Sequence, residues 1–230
     1  MSDVGVVVRT LNSARYLAAS IESVLGQSAP PGEVVAIDGG STDGTLGILA
    51  SFGDRVRVLR QRRSGLAGAA QDGVDAVSLP IVAFQDSDDL WPRDRLSDML
   101  AALGQHPEWD GVMGQVEHFV SPDLAPDDAS RFEVPPGRQP GAGLPSLVVR
   151  RSAFGRAGEL LDGLSAGEYL EWSDRAIRAG VRIEPVATLC LRRRVHLDNF
   201  TRRPESKRDY LRAVWEVMAR RRGSNGEARS

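Results

Sequence analysis

Short β-branched runs alternate with helix-patterned stretches through the first hundred residues, and no other property of the chain restricts its fold as strongly. Residues 4–9, 33–37, 55–60 and 81–85 read as strands, while helical spacing runs over 13–27, 43–51 and 66–77. Strand and helix repeated at this interval is the sequence form of βαβ units, whose strands pair in parallel with helices packed on the sheet. The expected class is therefore α/β, with a mostly parallel central sheet flanked by helices. In the first helix Tyr16, Leu17, Ser20, Ile21, Val24 and Leu25 share one face, and Pro30-Pro31-Gly32 stops the run.

Beyond residue 92 the pattern predicts a helix at 93–105 and a strand at 111–120. Residues 121–143 are rich in Pro, Asp and Gly and read as a long loop. A strand at 144–149, a helix at 167–179, a strand at 182–191 and a basic amphipathic helix at 203–222 follow, with 223–230 expected to be disordered.

No run approaches the roughly 18 to 20 apolar residues of a membrane span, and the N-terminus enters Val4–Val8 without a signal-peptide pattern, so a cytoplasmic protein is expected. Cys190 is the sole cysteine, which excludes an internal disulfide and reads as a core residue. His106, His118 and His196 are too scattered for a local zinc motif. The net charge of −2 hides an asymmetry: residues 192–222 hold 11 Arg plus Lys against 4 Asp plus Glu, a local +7. Such a tail suits a phosphate, or peripheral contact of the 203–222 helix with an anionic membrane. Aromatics interleaved with the charge are sparse there, so nucleic acid is not expected as a partner.

Two segments point to ligand chemistry. Phe84-Gln85-Asp86-Ser87-Asp88-Asp89-Leu90-Trp91 places three carboxylates where an apolar strand emerges, and acids so close need a cation or hydrogen-bond donors. They fit a divalent metal with the phosphates it carries, or an acidic helix start ahead of Trp91-Pro92. Asp38-Gly39-Gly40-Ser41-Thr42-Asp43-Gly44 follows the second strand; its glycines admit close approach of a ligand, or make a simple turn with Asp43 as a cap. No G-x-G-x-x-G or Walker sequence occurs, which removes the usual markers of hydride transfer and P-loop chemistry.

Val6-Val7-Val8-Arg9-Thr10-Leu11-Asn12, Ala36 to Thr45 and Phe84 to Trp91 together resemble, in order and spacing, the nucleotide-binding half of inverting family 2 glycosyltransferases with the GT-A fold. The resemblance implies one GT-A domain over 1–222, divided into a nucleotide-binding half at 4–105, an acceptor half at 106–200 and the C-terminal helix at 203–222. It implies that Thr10, Asn12, Asp38 and Gly40 line the nucleoside pocket. It further implies Asp86 near the ribose, Ser87 as a donor-binding residue, and Asp88 with Asp86 holding Mn²⁺ or Mg²⁺ against the diphosphate. Two positions depart from the pattern: Gly39 stands where a second acid is common, and Ala70-Gln71-Asp72 replaces Ala-Arg-Asn.

Gly167 to Arg175 resembles the acceptor-side helix of the family, but Tyr169 occupies the position of the expected aspartate base. Glu168 is then the expected general base, with Glu171 its rival one turn on; a solvated helix face is the alternative for both. Arg192-Arg193-Arg194-Val195-His196-Leu197-Asp198-Asn199 resembles an Arg-Arg-x-His-x-x-Asn signature, which implies Arg193 and Arg194 on the leaving nucleotide and His196 at the metal. Asp89 is left as the cap of the following helix.

The combined expectation is a metal-dependent inverting glycosyltransferase. Its donor is a nucleotide sugar, a UDP-sugar first, and its acceptor a glycan, a lipid-linked molecule, a small molecule or a peptide. The rivals are a catalytically degenerate nucleotide-binding scaffold, favoured by Tyr169, and a sugar nucleotidyltransferase, for which the glycine-rich basic loop after the first strand is missing.

Overall fold

The computed structural model describes residues 2–200 and 203–227, and its secondary structure follows the alternation of the sequence. The first half contains β1 (Val4–Thr10), α1 (Leu17–Leu25), β2 (Glu33–Asp38), α2 (Thr45–Ser51), β3 (Arg57–Arg60), α3 (Gly65–Ala76), β4 (Ile81–Asp86) and α4 (Arg95–Gln105). The second contains β5 (Gly111–Val120), α5 (Pro126–Ala129), β6 (Arg138–Pro140), β7 (Leu147–Arg150), α6 (Ser152–Ala157), α7 (Glu168–Arg178), β8 (Ile183–Val195) and α8 (Pro204–Glu227).

The sheet runs β3-β2-β1-β4-β7-β5-β6, with β8 along the other edge of β5. β1 is flanked in parallel by β2 and β4, and β2 by β3, as βαβ units require. The expectation of a mostly parallel sheet holds throughout that half, and in the second half β8 is also parallel to β5. β7 is antiparallel to both β4 and β5, and β6 is antiparallel to β5, so the complete sheet is mixed. The 121–143 segment is not structureless, since it contains α5 and β6; residues 144–146 form a 3-10 turn ahead of β7, and α6 was not anticipated. α1 is shorter at both ends than the apolar pattern suggested.

Two apolar layers enclose the sheet. Val7, Ile37 and Phe84 meet α3, α6 and α7 through Ala70, Val74, Phe154 and Trp172 on one face. Val6, Val8 and Ala36 meet α1, α2 and α4 through Leu17, Ile21, Leu49, Leu96 and Met99 on the other. Strict alternation along β1 sends successive valines to opposite layers, as a strand covered on both faces demands. Gly73 permits the contact between α3 and β1, because a Cβ there would overlap the Val7 side chain. Cys190 is free and buried, in agreement with its core assignment.

Two expectations at the C-terminus are corrected. α8 continues through residues 223–227, which were expected to be disordered, while 228–230 lie outside the described residues. It is also not a simple amphipathic helix: Ala213 and Val217 are buried, and Leu211, Trp215 and Met218 are exposed apolar residues on the opposite side.

Candidate functional site

Strand register assembles the site. Thr10 pairs with Asp38 across β1 and β2, and Arg9 pairs with Asp86 across β1 and β4, so the carboxyl ends of all three strands meet. They open onto a cavity of about 570 Å³, the expected place for a ligand on an open α/β sheet. Its walls include Thr10, Asn12, Gly39, Gln61, Asp86, Ser87, Asp88 and Asp89 from the first half, and Arg193, His196, Asn199 and Arg203 from the second.

Each carboxylate at the end of β4 is held by a different element. Asp86 Oδ1 accepts from Arg9 Nε at 2.9 Å and Nη2 at 2.6 Å. Asp88 Oδ2 meets His196 Nε2 at 3.0 Å and accepts from Asn199 Nδ2 at 3.2 Å. The Asp198 N–H lies 3.3 Å from His196 Nδ1, which leaves Nε2 as the protonated nitrogen facing Asp88. Asp89 Oδ1 accepts the Arg194 N–H at 2.8 Å. Asp89 is therefore not the cap of α4: Asp94 occupies that position, and Asp89 fastens β4 to β8.

Burial pushes the Asp86 carboxyl above the usual range even though Arg9 opposes the shift, and the neighbouring Asp88 adds to it. Asp89 is pushed well up by burial first and then by Asp88 and Asp86. Burial and mutual repulsion thus disfavour the charged forms of Asp86 and Asp89 even with their protein partners in place.

Arg9 was not singled out for a role, and it is the key to the local geometry. It is 3% exposed at the end of an otherwise apolar strand, and its third nitrogen, Nη1, donates to Glu168 Oε1 at 2.8 Å. Burial disfavours its charge, but Asp86 and Glu168 outweigh that and raise its pKa. One guanidinium thereby ties the acid at the end of β4 to the first turn of α7. An arginine closing a run of valines was the available signal.

The remaining expected site residues divide by position. Ser87 Oγ lies 2.6 Å from Ser13 Oγ at the cavity wall. Asn12 adopts a left-handed φ of 49°, and its Oδ1 accepts the Thr42 N–H at 2.8 Å, bracing the loop after β2. Thr10 Oγ1 is buried and has no hydrogen-bond partner among the described residues. The Asp38 carboxylate turns into its own loop, accepting from the Gly40 and Ser41 N–H groups at 2.9 and 3.0 Å and from Ser41 Oγ at 2.5 Å. Neither Asp38 nor Gly40, whose φ is +93°, lines the cavity; Gly39 does.

The arginines do not follow the apolar strand but belong to β8, which runs through Val195. Arg193 reaches the cavity wall, whereas Arg194 does not: its Nε donates to the Asp88 carbonyl at 2.9 Å, and its guanidinium sits 4.6 Å from the Tyr16 ring centre. Arg194 therefore orders the acidic turn from behind. Glu168, 8% exposed, and Glu171, fully buried, both lie off the cavity wall; Arg175 binds both oxygens of Glu171 at 2.8 Å, and Arg220 approaches it at 2.9 Å. Tyr169 packs against the core beside Trp172, where burial pushes its hydroxyl up to about 12.

Among the described residues no three His, Cys, Asp or Glu side chains converge to hold a metal ion by themselves. Asp86 and Asp88 nevertheless both line the cavity, and each keeps one carboxylate oxygen that neither Arg9 nor His196 takes. That arrangement suits a hard cation whose other ligands are phosphate oxygens and water.

A family model described as "Glycosyl transferase family 2" matches residues 5–143. A PGL/p-HBAD biosynthesis glycosyltransferase of Mycobacterium tuberculosis is 35% identical over 116 residues, covering 48% of this chain and 45% of that one. An uncharacterized glycosyltransferase of Nostoc is 31% identical over 131 residues, covering 55% and 40%. The matched stretch spans under half the length of both relatives. The crystal structure of Staphylococcus aureus TarS 1-349 in complex with UDP-GlcNAc superposes with a TM-score of 0.73 at 19% identity, covering 93% of this chain and 65% of that one. Glucosyl-3-phosphoglycerate synthase from Mycobacterium tuberculosis gives a TM-score of 0.63 at 17% identity, covering 93% and 79%. These superpositions identify the fold as the one those transferases share.

Proposed function

This chain belongs to glycosyl transferase family 2, and from that membership we propose that it transfers a sugar, with inversion, from a nucleotide diphosphate donor to an acceptor hydroxyl. The observation that carries the reading is the Asp86-Ser87-Asp88-Asp89 turn, which lines a cavity at the carboxyl edge of the sheet together with Arg193 and with His196, itself in contact with Asp88. TarS was solved with UDP-GlcNAc and with UDP, which supports a UDP-sugar as the first donor to test.

In this reading the nucleoside lies between Thr10, Gly39 and Gln61, and the unpartnered Thr10 hydroxyl is available to it. Asp88, and Asp86 through the oxygen that Arg9 leaves open, hold Mn²⁺ or Mg²⁺, which would neutralise the diphosphate as it departs. His196 and Asn199 fix the Asp88 carboxylate through the oxygen they share. Arg193 adds cationic charge at the leaving group. Asp38, Gly40 and Arg194 act by shaping the turns on which the donor rests.

Glu168 is the proposed base that takes the acceptor proton. Arg9 holds Oε1, and no hydrogen bond to Oε2 is found among the described residues. Glu171, with both oxygens bound by Arg175, is dropped from this role. The placement of Tyr169 in the core and the locking of Glu168 by Arg9 favour a second reading, a nucleotide-binding partner without turnover.

Calorimetry with UDP in the presence and absence of Mn²⁺, together with a UDP-release assay over a set of UDP-sugars, separates the two. Mn²⁺-dependent binding with turnover that Glu168→Gln removes, at unchanged UDP affinity, supports transfer. Binding without turnover supports the scaffold. UDP binding that ignores Mn²⁺ overturns the metal assignment.

A further inference from the structure

Helix α8 is apolar on two faces, and the fold uses one of them. Ala213 and Val217 are buried toward α7; a Cβ at Gly167 would come within 2.8 Å of Ala213. On the outer side Leu211, Trp215 and Met218, spaced i, i+4 and i+7, are 66%, 70% and 48% exposed. A contiguous apolar ridge that includes an exposed tryptophan is surface whose burial the isolated chain leaves incomplete.

The exposed charges beside the ridge are basic: Lys207 and Arg208, with Arg212 and Arg221, which pair with Glu216 and Asp174 at 3.1 and 3.0 Å. Of the acids whose side chains are described, Asp209 accepts the Ser165 N–H at 3.1 Å, and Glu216 is the partner of Arg212.

We propose that this face of α8 docks on an anionic lipid bilayer, with Leu211, Trp215 and Met218 entering the interface and the basic side chains lying among the lipid phosphates. Long cationic stems can reach outward while the apolar ridge goes inward, which matches the polarity gradient at that boundary. A second copy of the same face would bring two basic rims together and is disfavoured by their repulsion. None of the described helices is long and apolar enough to cross a membrane, so the contact is peripheral. Phe200 and Arg203, which line the cavity, immediately precede the helix. If the donor reading above holds, the docked helix sets the cavity beside lipid-borne acceptors.

Cosedimentation of the full chain with phosphatidylcholine vesicles, with and without phosphatidylglycerol, tests the docking in the absence of donor and metal, so its outcome is independent of catalysis. Binding is expected for the anionic vesicles only, with a blue shift of emission that Trp215→Phe abolishes; of the other three tryptophans Trp91 and Trp172 are buried and Trp109 is half-buried, stacked on His106. Combined Lys207→Gln, Arg208→Gln and Arg212→Gln should reduce partitioning about fivefold per charge removed. Leu211→Ser with Met218→Ser should reduce it by at least about tenfold. Absence of binding by the wild-type chain overturns the proposal, as does binding that neither variant set changes. A concentration-dependent dimer in sedimentation velocity, dissociated by Leu211→Ser and Met218→Ser without any vesicle binding, assigns the face to a second copy instead. The three charge changes lie at exposed positions and keep the test decisive if the apolar variant fails to fold.

Discussion

Two acidic clusters in this molecule contain the same kinds of side chain and behave oppositely. At the end of β4, Asp86 and Asp89 are pushed above the usual carboxylate range by burial and by one another, with Asp88 beside them. On α7, burial likewise disfavours the charge of Asp174, but hydrogen bonds from Arg221 and Arg178 outweigh it and hold the carboxyl below the usual range. Glu171, one turn away, is enclosed by Arg175 and Arg220. The carboxylates of the first cluster share Arg9 with Glu168 and face a cavity; those of the second meet Arg175, Arg178, Arg220 and Arg221 and close the packing of α7 on α8. Density of acid in the sequence does not distinguish a ligand site from a structural one. The number of arginines that tertiary packing brings to each does.

The sharpest attempt to break this contrast is a pair of substitutions. Asp88→Ala should lower UDP-sugar turnover by at least about 10²-fold, the usual cost of removing a group that compensates developing charge. Glu171→Gln should leave turnover within about twofold. Comparable losses in a UDP-release assay would remove the distinction between the clusters.

Arg9 serves the cavity cluster from β1, in the middle of the sheet. Arg9→Met should reduce the free energy of unfolding in urea by about 3 kcal/mol, the lower end for a broken buried pair because the Asp86 side chain is 32% exposed. A loss under about 1 kcal/mol would show that the triad adds little beyond an ordinary surface pair. Glu171→Gln weakens a pair with Arg175 that is held on several sides, and a loss of about 2 kcal/mol in the same titration is expected, at unchanged UDP affinity.

The smallest effect is a difference of sign with pH. Because the folded-state pKa of Asp174 is lowered, its contribution to stability is present above the unfolded value and is lost as pH falls through the folded one. Asp174→Asn should therefore flatten the acid limb of stability below about pH 4. Asp89, with its pKa raised, stabilises fully below the unfolded value and loses that contribution as pH rises through the folded one. Asp89→Asn in metal-free buffer should remove a decline on that upper side. Urea midpoints across pH that respond with the same sign in both variants would contradict the two-cluster picture.

Much of the first half was legible because its signals are local. The strand-helix alternation over residues 4–105 needs only hydrophobic periodicity and proline or glycine stops, and the strand-end position of Asp86 and Asp88 follows from Phe84 ending the apolar run. The second half resisted for physical reasons. β6 is three residues long and exists by pairing with Glu117, Val116 and Gln115, a long-range contact that leaves no periodic trace. α6 spans six residues, too few to show a helical stripe.

The sequence by itself determined which chemistry was present: an acidic turn after a buried strand, a glycine loop after another, and a basic stretch ending in His196 and Asn199. Only the tertiary structure decided who meets whom. Parallel register put Arg9 beside Asp86, and the packing of α7 brought Glu168 to the same guanidinium while Glu171 went to Arg175 and Arg220. Residues three apart on one helix acquired different surroundings because a helix in a packed interior presents each turn to a different neighbour. The fate of a carboxylate is set by the cations that reach it through space, and that information is distributed over the 159 positions separating Arg9 from Glu168.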